Sequence, residues 1–170
     1  TGLLTELSKM EEMAGFDARG KELMRVLYLT HANEIQGLTR VDASGRIVYT
    51  FPETPGTVGT DLSGQEHIQR IMQTHKPVIS DVFESVQGFK SIALHVPVFS
   101  EDAFLGSLGV LIPFDRLSQK YLEPIKIGRD GYAWMISRKG IELYCPVPGH
   151  TGKSVFENCK DFPSILEMAK

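Results

Sequence analysis

The residues best suited to chemistry fall in two short stretches. His67 and Arg70 are three apart in a segment with helical spacing, so they are neighbours on one face. A guanidinium forks a carboxylate with two parallel hydrogen bonds, which makes Arg70 with His67 a fit for a small anionic group. In the run 89–99, strand alternation puts Ser91, Ala93 and His95 on one face and Lys90, Ile92, Leu94 and Val96 on the other. The bulky face suits packing against a helix. The face of small residues and an imidazole leaves room for a ligand, because pockets are mostly apolar with a few convergent polar groups. Ile79, Asp81 and Phe83 share a face in the same way. Plainer roles compete: His95 as a core histidine satisfying a loop carbonyl, Arg70 and Asp81 as surface charges.

Catalysis and metal binding find less support. His31, His67, His75, His95 and His150 form no HExxH pattern, and no CxxC pair or Cys/His cluster has zinc spacing. No metal site and no cofactor are expected. Ser63, Ser80, Ser85 and Ser91 stand in no nucleophile-elbow motif, so no catalytic residue is assigned and the chain does not read as an enzyme. Val147–Ser154 approaches a phosphate loop, but that motif needs Gly where Val147 stands and a helix opening at Lys153; a surface loop is expected. Cys145 and Cys159, 14 positions apart, allow one bridge in an oxidising compartment and free thiols in a reducing one.

These groups need elements to position them. The 170 residues are 42% hydrophobic and 23% charged, which excludes disordered, collagenous and disulfide-dense classes. A net charge of -3 argues against nucleic acid as a partner. No run of 18 apolar residues is present to span a membrane as a helix. The chain opens on Thr1-Gly2 without a signal-peptide layout, so it reads as an excised piece whose membrane helix or catalytic domain lies outside it.

Apolar residues at Leu3, Leu7, Met10, Met13, Phe16, Leu23, Leu27 and Ile35 predict one long helix over 3–35, bent near Gly15 and Gly20. The period then changes. Strands are expected at Leu38–Asp42 and Arg46–Thr50 around an Ala43-Ser44-Gly45 turn, followed by a Pro/Gly loop. A helix from about Gly64 to His75, capped by Asp61 or Ser63, carries the stripe Ile68, Ile71, Met72. Val78–Glu84, Phe89–Phe99 and Phe104–Phe114 read as an antiparallel meander, with a helix capped by Asp115 after it. The segment Met135–Tyr144 then repeats Arg40–Tyr49 at an offset of 95, aligning Gly140 with Gly45 and Tyr144 with Tyr49.

That order, with the motifs Asp42–Tyr49, Gly59–Ser63, Lys76–Val82, Ser91–Val98, Gly106–Leu111 and Gly128–Trp134, resembles the Cache family of extracellular sensor domains, in the double-module arrangement. The resemblance implies an α+β fold: a long N-terminal helix, then a PAS-like antiparallel sheet with flanking helices, plus the start of a second similar module. The boundaries expected are 1–36 for the helix, 37–125 for the membrane-distal ligand-binding module and 126–170 for an incomplete membrane-proximal one. In such domains the pocket lies between the sheet and the loop-helix segment corresponding to 56–75. This would gather His67, Arg70, Asp81, Phe83, Ser91, Ala93 and His95. The Arg-x-Trp pattern of amino-acid-sensing members is missing, since the single tryptophan is Trp134, which weighs against an amino acid as the ligand. The implied role is extracytoplasmic sensing of a small molecule, a carboxylate among the candidates, by a sensor histidine kinase or a chemoreceptor anchored in the membrane and dimeric through the N-terminal helix. The alternatives are a cytoplasmic PAS-type module for a cofactor or partner, and a ligand-free dimerisation module.

Overall fold

The N-terminal segment is helical but is not one helix. In this computed structural model, which describes residues 2–86, 90–129, 131–137 and 139–168, it forms α1 (Gly2–Ser8), α2 (Glu11–Gly15) and α3 (Ala18–His31). Phe16 ends α2 in the left-handed region at φ 44°, and the Asp17 carboxylate then caps α3 by accepting from the Arg19 and Gly20 amides. A Cβ at Gly20 would lie 2.4 Å from the Glu12 carbonyl oxygen, so the close approach of α3 to α2 requires glycine there. The single helix expected over 3–35 is thus corrected to three. The apolar spacing survives the breaks because all three pack on one face of the sheet.

The strands follow as β1 (Gly37–Val41) and β2 (Ile47–Phe51), then α4 (Glu66–Thr74), β3 (Val78–Ile79), β4 (Phe83–Glu84), β5 (Lys90–Ser100) and β6 (Ala103–Pro113). They form one antiparallel sheet in the order β2-β1-β6-β5-β3, with β4 also paired to β5. The strand expected over 78–84 is split. At the break the Ser80 amide still donates to the Ala93 carbonyl at 2.8 Å, but it is the Ser80 hydroxyl that accepts from the Ala93 amide at 2.8 Å, and it donates to the Asp81 carbonyl at 2.7 Å. Neither Asp61 nor Ser63 caps α4, which starts after Gln65. Asp61 instead accepts from the Ser63 amide and pairs with Arg46 at 3.1 Å.

Alternation assigns the two faces of the sheet as expected for β5. Val96 and Val98 join Leu38, Leu108 and Val110 in a core with Leu4, Leu7, Met13 and Met24 of the helices. Fully burying each such side chain contributes about 1.5–3 kcal/mol. On the other face Val41, Ile47, Leu62 and Ile68 make a second core beneath α4. Arg40, on the helix side of β1, is 3% exposed. Its guanidinium donates to main-chain carbonyls of Met13, Val41, Leu105 and Ser107 and lies over the Phe16 ring. Burial among carbonyls pulls its pKa down to about 10, against the pull of Asp42.

Two compact units result, Thr1–Pro113 and Phe114–Lys170. The second holds α5 (Phe114–Tyr121), β7 (Lys126–Ile127), β8 (Gly131–Tyr132), β9 (Met135–Ile136), β10 (Glu142–Tyr144), α6 (Val155–Asn158) and α7 (Pro163–Met168). Asp115, expected as a cap, sits in the first turn of α5.

The repeat seen in the sequence is a structural one. Val41↔Ile47 and Arg40↔Tyr49 pair across the first hairpin, with a register shift between them. Ile136↔Glu142 and Met135↔Tyr144 pair across the second, with the same shift. The Asp42 carboxylate accepts from the Ser44 and Arg46 amides, and the Ser137 hydroxyl accepts from the Lys139 and Ile141 amides. Gly59→Ile47 and Leu62→Gly45 main-chain bonds recur as Gly152→Glu142 and Val155→Gly140.

Candidate functional site

On the α4 side of the first unit, three elements bring three rings together. The His67 ring of α4 lies 4.9 Å from the Phe83 ring of β4 and 5.3 Å from the His95 ring of β5, centroid to centroid. His95 Nδ1 and the Ser107 hydroxyl share a 2.9 Å hydrogen bond. His67, His95 and Ser107 are all buried. Burial pulls the His67 pKa down to about 4, against a smaller pull upward from Glu66. Burial, with His67 beside it, pulls His95 down to about 3. Both imidazoles are therefore neutral at pH 7, and each offers one donor and one acceptor nitrogen.

Ala93 and Ser91 continue this face of β5, both with no exposed surface. The Ser91 hydroxyl has no hydrogen-bond partner among the described residues. A cavity of about 20 Å³ beside His95 is lined by His67, Phe83 and His95 together with Thr39, Gln65 and Leu111 among others; Ser91 and Ala93 do not line it. Its volume is room for about one water.

Two more expected members stand outside it. Arg70 and Asp81 are exposed and do not line the cavity. At about 100° per residue, Arg70 sits roughly 130° around α4 from the midpoint of the buried Ile68 and Ile71, against roughly 70° for His67. Three-residue spacing makes the two neighbours, but the core lies on the His67 side. Asp81 follows the Ser80 break and leaves the strand alternation that would have aimed it at Phe83's side.

Thr39, Gln65, Ser107 and Gly109 were not anticipated. A Cβ at Gly109 would lie 2.5 Å from His95 Cε1, so the imidazole rests directly on the backbone of β6. The signal was present in the motif Gly106–Leu111, whose alternation puts Ser107, Gly109 and Leu111 on one face; reading it required the register His95↔Gly109.

The second unit gathers a different set. Glu142, Cys145 and His150 each offer a donor atom within 4.8 Å of the others, although their spacing resembles no zinc motif. Cys145 and Cys159 are both free thiols, so the bridge considered from their spacing is not formed. Burial pushes both thiols up, with the Glu142 carboxylate adding to the effect.

Among the described residues no helix is long and apolar enough to cross a membrane. No curated protein matches the sequence. Among solved structures, an extracellular ligand binding receptor from Desulfohalobium retbaense is 27% identical, with a TM-score of 0.71 over 95% of this chain and 31% of that one. The chain thus spans about a third of that receptor's length. The ligand-binding domain of the Pseudomonas fluorescens chemoreceptor CtaA, in complex with L-serine, has a TM-score of 0.72 at 18% identity over 93% of this chain and 68% of that one. The ligand-binding domain of the Pseudomonas aeruginosa amino acid chemoreceptor PctC, in complex with GABA, has a TM-score of 0.70 at 19% identity, covering 94% and 71%. These two share the fold, as the Cache resemblance implies. The family described as "HK/GC/Chemotaxis protein-like, sensor domain" matches residues 4–113, the helices and the whole main sheet, and the chain belongs to that family of sensor domains.

Proposed function

We propose that this chain is the extracytoplasmic ligand-sensing part of a membrane-anchored receptor, either a sensor histidine kinase or a chemoreceptor, and has no catalytic activity of its own. The observation that carries the reading is the composition of one sheet face. Ser91, Ala93 and His95 are small or polar and buried, α4 meets this face at His95 through His67, and the Ser91 hydroxyl is left unpaired. A buried unpaired hydroxyl costs about 1–3 kcal/mol, a cost that a bound ligand removes. Residues 37–125 serve as the binding module after a helical segment at 1–36, and 126–170 begin a second module.

The ligand is a small molecule with a carboxylate; although the Arg-x-Trp pattern is missing, an amino acid is the first class to try, since the CtaA and PctC domains hold L-serine and GABA. His67, Phe83, Ser91, Ala93 and His95 form the floor. Arg70 on α4 and Asp81 after β3 are the charged groups on the bordering elements, suited to a carboxylate and an amine. A 20 Å³ cavity does not admit such a molecule, so binding moves α4, or Ser85 and Val86 after β4, away from the cavity. The ligand then shifts the population toward the open arrangement by its difference in affinity, which is how a binding event biases the attached helices. A homodimer forms through the N-terminal helices, where Val26 and Leu29 of α3 are exposed.

Calorimetric titration with a panel of amino acids tests the ligand. A binder is expected whose affinity falls roughly 10- to 150-fold in His95→Ala and Arg70→Ala, the loss of one hydrogen bond to a charged group. Unchanged affinity in both variants, or no binder in the panel, counts against the site or the class respectively. The small cavity favours a second reading, a ligand-free dimerisation module. A thermal-shift screen in which no metabolite raises the melting temperature supports it.

A further inference from the structure

In the structural repeat, position 142 takes the place of the apolar Ile47, yet it holds a glutamate that is 1% exposed. Leaving water costs a carboxylate several kcal/mol, so buried carboxylates are paired or ligate a metal. Three side chains contact this one, the Cys145 thiol by a hydrogen bond and two others. The Asn158 amide donates to Oε1 at 2.9 Å, and His150 Nδ1 stands 3.5 Å from Oε2. None of the three is a permanent cation. The Cys145 thiol is the third donor within reach.

We propose that Glu142, Cys145 and His150 bind a transition-metal dication, with Zn²⁺ as the best match. Carboxylate, thiolate and imidazole are zinc donors, and around a tetrahedral ion with bonds of about 2.0–2.3 Å neighbouring donors stand roughly 3.3–3.6 Å apart. The Glu142–His150 separation already has this value. The fold supports the ligands from outside: Asn158 Nδ2 donates both to Glu142 Oε1 and to the His150 carbonyl at 3.2 Å, so one amide holds two of the three. Three protein donors leave a fourth position open. Cys145 also lines a cavity of about 490 Å³ with Tyr132, Tyr144 and Thr151, which gives metal and water a way in.

The experiment is titration of the chelator-stripped chain with Zn²⁺ by calorimetry and with Co²⁺ by absorption. One equivalent is expected to bind, and Co²⁺ should show a thiolate charge-transfer band that Cys145→Ser abolishes. His150→Ala should weaken Zn²⁺ by more than about 100-fold, and Asn158→Ala by about 10- to 100-fold, the range for outer-shell partners. Glu142→Ile restores the residue type of position 47; it should fold, by circular dichroism, and bind no Zn²⁺. Failure to saturate at one equivalent, or equal affinity in folded Cys145→Ser and His150→Ala chains, overturns the proposal.

Discussion

Ser107 holds His95 from one side of the sheet and touches Arg40 from the other. Its hydroxyl lies 2.9 Å from His95 Nδ1, and its main-chain carbonyl accepts from the Arg40 guanidinium at 3.4 Å. Arg40 in turn reaches the Met13 carbonyl of α2 at 3.4 Å. One residue of β6 therefore contacts both the candidate site and the group that ties the N-terminal helices to the sheet.

Stability should fall with pH below neutrality because of the two buried imidazoles. Their folded pKa values, about 4 for His67 and about 3 for His95, lie below the unfolded value of about 6.5. Between those limits the unfolded chain binds more protons, so the contribution is complete above pH 6.5 and is lost as pH falls toward 4 and then 3. Each imidazole contributes a slope of up to about 1.4 kcal/mol per pH unit. Urea unfolding at pH 7 and pH 5 measures it, and a double His67→Gln, His95→Asn variant should have a flatter dependence. The carboxylates of Asp42 and Asp61 are held low by amide, hydroxyl and arginine partners and act in a more acid window.

Gly109→Ala should displace the His95 ring. The new methyl would meet Cε1, Nε2 and Nδ1 of an imidazole that is fixed by Ser107 and buried against His67. Overpacking of this kind costs about 1–3 kcal/mol. A denaturation midpoint and the imidazole resonances of His95 read both parts of the effect, and an unmoved resonance would mean that the ring does not rest on β6.

Ser91→Ala should stabilise the free protein and weaken binding. Removing a buried hydroxyl with no partner relieves a cost of about 1–3 kcal/mol, since Ala fits the same space. The melting temperature should rise without ligand and rise less on adding one. A destabilised free variant would show that the hydroxyl is already satisfied.

Arg40→Lys should destabilise by about 1.5–3 kcal/mol, although the charge is kept. An ammonium on a flexible stem does not span the carbonyls of Met13, Val41, Leu105 and Ser107 that the planar fork reaches. Urea midpoints with an unchanged m-value measure the loss, and near-neutrality would place those carbonyls within reach of water.

Local pattern was enough for part of this structure. Alternation in 90–100 fixed which side of β5 meets the helices, because a strand's side chains change face at every residue whatever surrounds it. The hairpin repeat was legible for the same reason: Asp42 or Ser137 and a glycine set each turn through bonds that span four residues. Tertiary structure decided the rest. The spacing of Leu3 through Ile35 is helical throughout, yet the chain turns at Phe16 and Asp17 so that α3 packs back on α2, with Gly20 against Glu12. Arg70 was correctly a neighbour of His67, but which of the two meets the sheet depended on where Ile68 and Ile71 pack. Glu142, Cys145 and His150 share no periodicity at all. They converge because β10, the turn after it and Asn158 of α6 fold onto one another, and only a folded chain brings such donors within a few ångströms.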